Sequence, residues 1–165
     1  MEQAYRTRRK LTFERTFDAS IEEVWQMWTT REGLESWWAP EGSKVEVHDL
    51  DLRPGGELLY TSSAVAPDQI DFLRKLGLPV AHEERVKFTK LEAPRHLACS
   101  LLLDFIPGVD PYEVEVTVDL EGDAERTTMV LNCGVMHSER WTELAEMGWE
   151  SQLRNLARVL GEQPR

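Results

Sequence analysis

HSERWTELAEMGWESQLRNLARVL, residues 137–160, is the stretch on which the fold turns. Within it Trp141, Leu144, Ala145, Gly148, Trp149, Gln152, Leu153, Leu156, Ala157 and Leu160 recur at steps of three and four, which is one face of an α-helix. Glu139, Arg140, Glu143, Glu146, Glu150, Arg154 and Arg158 take the other face. No proline interrupts the run. Ser138 stands where a hydroxyl can take up free backbone N–H groups, and Glu139 and Arg158 suit the positive and negative ends of the helix dipole. So wide an apolar stripe must be buried, and the surface available is a sheet, because strands precede the helix. Two indoles separated by small Ala145 and Gly148 leave the helix–sheet gap unevenly filled, which is how a pocket arises. Filling the core is the simpler role of each stripe residue.

Working back from the helix, Tyr112, Val114, Val116, Val118 and Leu120 alternate with Glu113, Glu115, Thr117 and Asp119, a strand with one buried face. Further strands are expected at 86–91, 97–105 and 127–135. Leu11, Phe13 and Phe17 alternate with polar residues near the start, Arg15 breaking the apolar face. Ser20 and Glu23 form a capping box ahead of a helix whose stripe is Ile21, Val24, Trp25 and Trp28. A second short helix at 31–38 ends before Pro40 and Gly42. Val45 and Val47 mark a strand, and residues 50–60 a hairpin turning at Arg53-Pro54-Gly55-Gly56. Residues 67–76 suit a helix with Gly77 as its stop, inside an insertion at 64–80 that is a candidate lid. The expected fold is α+β: a curved antiparallel sheet of six to seven strands gripping a long C-terminal helix, with two short helices after the first strand. One domain over 9–160 accounts for the pattern, with frayed tails at 1–8 and 161–165.

Length and charge narrow the function. The 165 residues are enough for one proper core. A net charge of −11 repels phosphate backbones, and the basic cluster Arg6, Arg8, Arg9, Lys10 is too short to reverse it, so no nucleic-acid partner is expected. No apolar run approaches the roughly 18–20 residues of a membrane span, and no apolar leader follows Met1. Cys99 and Cys133 lie in apolar strand patterns and suit buried free thiols. These features together point to the cytoplasm, without a membrane partner.

Neither GxxxxGK[ST], GxGxxG nor GxSxG occurs. His48, His82, His96 and His137 show no metal-ligand spacing with one another or with cysteine, so no metal and no cofactor is expected.

FDASIEEVWQMWTTREGLESWWAP, DLRPGGELLY and GWESQLRNLARVL, in this order, resemble the START-like, helix-grip superfamily, and within it the stand-alone bacterial relatives of the C-terminal domain of the Hsp90 ATPase activator. The likeness runs from Leu11 to Leu160. It implies a cavity between sheet and long helix that takes apolar or aromatic small molecules. Some distant members of the superfamily are cyclases or hydrolases, and many only bind or transfer ligands. The chaperone activator has an extra N-terminal domain for which this sequence leaves no room.

Two kinds of site residue follow. Asp104 and His137 each end an expected strand; placed together, Asp104 would orient His137 as a general base, with Tyr112 the alternative partner. Ordinary bonding is the stronger explanation of both: His137 to a backbone carbonyl before the helix, Asp104 to turn amides. Glu113 and Glu115 fall on a polar strand face and are ordinary surface. The expected ligand-binding set is Trp37, Trp38, Tyr60, Phe88, Leu103, Tyr112, Val114, Trp141, Ala145 and Trp149, because flat apolar rings with one polar tip suit a pocket for a ring or small lipid. The expected activity is binding of a small apolar or aromatic molecule; the alternatives are a metal-independent hydrolase or cyclase using His137 with Asp104 or Tyr112, and a chaperone-interacting module. Monomer and homodimer, the latter through exposed strand edges, both stay open.

Overall fold

The computed structural model describes residues 10–161. The tails expected at 1–8 and 161–165 lie outside these residues, Gly161 excepted, as do Arg6, Arg8 and Arg9. The elements in order are β1 (Lys10–Phe17), α1 (Ile21–Thr29), α2 (Arg31–Trp37), β2 (Ser43–Leu50), β3 (Glu57–Ala64), α3 (Pro67–Lys75), β4 (Ala81–Glu92), β5 (His96–Leu103), β6 (Tyr112–Gly122), β7 (Thr127–Gly134) and α4 (Glu139–Val159). The strands form one curved seven-stranded sheet in the order β1-β7-β6-β5-β4-β3-β2, every neighbouring pair antiparallel. β1 and β2 are therefore its edges. The chain crosses from one edge to the other through α1 and α2, then returns strand by strand.

The apolar alternation seen in the sequence becomes one buried face. Phe13 and Phe17, Met129 and Leu131, Val116 and Val118 and Leu97 point to the side that α4 covers with Trp149, Leu153 and Leu156. The register shifts between Val47 and Asp49 in β2 and between Phe88 and Lys90 in β4. Such bulges add bend and twist to a sheet that has to wrap a helix. The turn after β2 docks on the second bulge: Gly55 N–H donates to Phe88 O at 2.7 Å and Phe88 N–H to Gly56 O at 2.9 Å. Glycine is required here twice over. Gly55 has φ +86°, and a Cβ on Gly56 would lie 2.1 Å from Asp51 O.

The helix starts are capped as their sequences dictate. Ser20 and Glu23 exchange bonds in a full capping box, Thr30 accepts from Gly33 N, and Ser138 accepts from Trp141 N. α4 is pinned at several points along its length. Arg15 of β1 makes a two-pronged ion pair with Glu150, Nη2 lying 2.8 and 2.9 Å from the two carboxylate oxygens. Asn155 Nδ2 donates to Ala39 O at 2.7 Å, Gln152 Nε2 to Trp38 O, and Ser151 Oγ accepts from Glu41 N at 2.8 Å. These bonds hold the Trp37–Trp38–Ala39 corner against the helix. No helix among the described residues is long and apolar enough to cross a membrane.

β4 differs from the sequence expectation. It begins at Ala81, five residues before the expected Val86, and residues 81–85 pair with β3 throughout. Their inward-facing members are His82 and Glu84, which break the apolar alternation that marks a strand.

Candidate functional site: a chamber between sheet and helix

Where α4 crosses β5, β6 and β7 it presents Ala145, with a single methyl, and Gly148, with no side chain, and neither fills the gap to the sheet. A Cβ built on Gly148 would meet nothing within 4 Å. The result is a chamber of about 240 Å³. Its sheet wall is Leu101, Leu103, Val114 and Cys133, and its end wall Trp38 and Trp149, whose rings meet edge to face at 5.6 Å. Leu73 of α3, Leu78 and Phe105 close the outer side. Beyond them a groove of about 590 Å³ runs between α3 and α4, past Phe72, Leu76, Trp141, Leu144 and Met147, and shares Leu73, Leu78, Phe105, Met136, Ala145 and Gly148 with the chamber. The 64–80 insertion thus forms one bank of the groove. No residue of α3 is buried.

The end wall belongs to an aromatic stack. Trp28 contacts Trp37 at 4.7 Å and Trp38 at 5.6 Å, and Trp38 continues to Tyr60 at 6.5 Å. Trp37 Nε1 is satisfied by Met27 O at 2.7 Å, whereas Trp28 Nε1 and Trp38 Nε1 are buried without a hydrogen-bond partner.

One corner of the chamber is polar. Tyr60 of β3 lies directly across from Glu84 of β4, and Ser62 from His82. All four line the chamber. Burial, reinforced by the Glu84 charge, holds the Tyr60 phenol proton well beyond its ordinary titration range. The neighbouring Trp38 indole offsets part of this rise. His82 Nε2 is 3.1 Å from Glu84 Oε2, out of hydrogen-bond alignment, and both ring nitrogens are buried with no hydrogen bond. The imidazole leans on Phe105 at 4.5 Å.

The ten expected ligand-binding residues divide cleanly. Trp38, Tyr60, Leu103, Val114, Ala145 and Trp149 line the chamber, and Trp141 lines the outer groove. Trp37 and Phe88 are buried core at 1% and 3% exposure and reach neither space. Tyr112 lines neither the chamber nor the groove; its hydroxyl is bonded to His137 Nδ1 at 2.8 Å and accepts from His137 N at 3.2 Å. The structure therefore brings His137 to Tyr112. Asp104 is exposed and makes no hydrogen bond or ion pair with His137. His137 also packs on Trp141 at 5.9 Å, just outside the groove. Glu113 and Glu115 are exposed, and Glu113 accepts from Ser100 Oγ at 3.1 Å.

His82 and Glu84 were not among the expected residues. The signal that finds them is period two: stepping back from Phe88 and Val86 by twos lands on Glu84 and His82, polar residues on the core face. Among the described residues no group of three or more His, Cys, Asp or Glu side chains is placed to hold a metal ion.

A curved antiparallel sheet closed by a long C-terminal helix over such a chamber defines a START-like, helix-grip protein. The chain belongs to the family described as Activator of Hsp90 ATPase homolog 1-like protein, whose sequence profile matches residues 18–161. Solved structures with the same fold include a protein from Arthrobacter aurescens, at 24% identity and a TM-score of 0.72 over 94% of this chain and 88% of that one. The AHSA1 protein from Silicibacter pomeroyi matches at 22% identity and TM-score 0.70, covering 93% and 98%. A protein from Chromobacterium violaceum matches at 20% identity and TM-score 0.70, covering 94% and 98%. No functionally curated protein matches the chain.

Proposed function

We propose that this protein binds a small apolar or aromatic molecule in the chamber between the sheet and α4. The observation that carries this reading is the unfilled space opposite Gly148 and Ala145, walled by Trp38 and Trp149 and continuous with an outward groove. Ordinary core packing would fill it, since interiors approach crystal density and a glycine in mid-helix costs about 1 kcal/mol relative to alanine. The aromatic walls suit a ring, and a chamber of about 240 Å³ sets a small ligand, its longer substituents running into the groove.

The test is to fill the space from the helix. Gly148→Phe puts a ring where the ligand would lie. The parent, titrated with a fluorescent naphthalene dye, should bind and be competed by one- and two-ring aromatics, while Gly148→Phe loses at least about tenfold in affinity, the scale set by one lost apolar contact surface. Gly148→Ala, which adds a single carbon into open space, should keep binding and gain about 1 kcal/mol of stability from helix propensity. Equal binding by parent and Gly148→Phe would place the dye elsewhere and remove the reading.

A further inference from the structure

The polar corner of the chamber has a chemistry of its own. We propose that His82, Glu84 and Tyr60 form its recognition site and that the ligand is an uncharged phenol or aryl alcohol of one or two rings. This deepens the reading given above and rests on the chamber being occupied. The ring would lie against Trp38, Trp149 and Leu103, and the hydroxyl would reach His82.

Three observations lead there. Both ring nitrogens of His82 are buried without an aligned hydrogen bond, Nε2 facing only Glu84 at 3.1 Å and Nδ1 having no hydrogen-bond partner, and the residue lines the chamber. With Nε2–H turned toward the Glu84 carboxylate, Nδ1 is the acceptor left over, and a ligand hydroxyl can donate to it. Glu84, 3.1 Å from His82 Nε2 and directly across the strands from Tyr60, faces the imidazole and adds negative charge to the corner. That charge sets the class of ligand. The phenol of Tyr60 keeps its proton, and a ligand carboxylate brought beside the Glu84 carboxylate would be repelled at short range with little water to screen it. A hydroxyl carries no such penalty. A plain hydrocarbon would fit the walls yet leave Nδ1 unpaired, which is the basis on which a polar site rejects an analogue lacking the matching group.

The experiment is equilibrium dialysis of naphthalene, naphthol and naphthoate at neutral pH against the parent, His82→Leu and Glu84→Gln. Naphthol should bind the parent about tenfold tighter than naphthalene, the scale of one well-made hydrogen bond in a dry site, and naphthoate should bind weakest. His82→Leu should bring naphthol down to naphthalene and leave naphthalene unchanged, which also shows that the variant is folded. Glu84→Gln should relieve the exclusion of naphthoate, and it carries the test alone if His82→Leu fails to fold. Equal binding of naphthol and naphthalene by the parent, or naphthoate binding tightest, would overturn this proposal while leaving the chamber as a binding site. Binding of none of the three would overturn both.

Discussion

Cys99 and Cys133 show how thoroughly the sheet's inner face is shut off from water. Burial pushes the Cys99 thiol from 9.0 up to about 12, with Cys133 and Glu115 adding to the rise, and pushes the Cys133 thiol up to about 11. In the unfolded chain both would lose their protons nearer the ordinary value. The unfolded state therefore binds fewer protons across that window, and folding stability is complete below pH 9.0 and falls as the pH rises toward 12. Tyr60 acts in the same direction above its ordinary value of 10.0. Denaturant titrations stepped through the alkaline range should show this loss, and Cys99→Ala should flatten the slope. A stability independent of pH there would mean that the thiols are solvated.

At the same scale, the expected ligand-set residues that lie away from the chamber share a cause. Phe88 and Trp37 have the composition of pocket walls, but whether an aromatic faces a void or another ring is set by its neighbours, and Trp37 is enclosed by Trp28 and Trp38. His82 and Glu84 went unseen because the signal used to find strands is apolar alternation, and a recognition corner is where that alternation fails.

Among the elements, α4 was the most legible. The stripe opening at Trp141 and the cap at Ser138 bound the helix that the structure shows from Glu139 to Val159. Tyr112–Gly122 and the Pro54-Gly55-Gly56 turn follow equally directly from side-chain period and turn chemistry. α3 is the opposite case. Its sequence announces a helix, with Pro67 in the first turn and Arg74 and Lys75 in the last. Its placement beside the groove depends on Ala66 and Gln69 packing against Gly42, with Leu73 left facing the open space, and no local pattern encodes that. With no buried residue and no side-chain cap, α3 has little holding it down. In native-state hydrogen exchange its amides should exchange well before those of α4, and a bound ligand should slow them. Protection of α3 equal to that of α4 in the free protein would contradict a lid.

For the whole molecule, the sheet–helix grip follows from element order alone, since consecutive strands joined by short connections pair antiparallel and one long amphipathic helix must cover the face they leave. The chamber does not follow in the same way. It is the difference between the volume the fold encloses and the volume its side chains fill, and that difference is decided by Gly148 and Ala145 lying opposite Val114, Leu103 and Cys133. The measurement that tests the central claim most directly is native mass spectrometry of the protein as purified, then after incubation with a panel of phenols, aromatic hydrocarbons and lipids, each compared with the denatured sample. The account predicts a releasable one-to-one adduct, present from the start or formed with the aromatic members of the panel, and absent from Gly148→Phe. An unliganded mass throughout, unchanged by any of them, would contradict it.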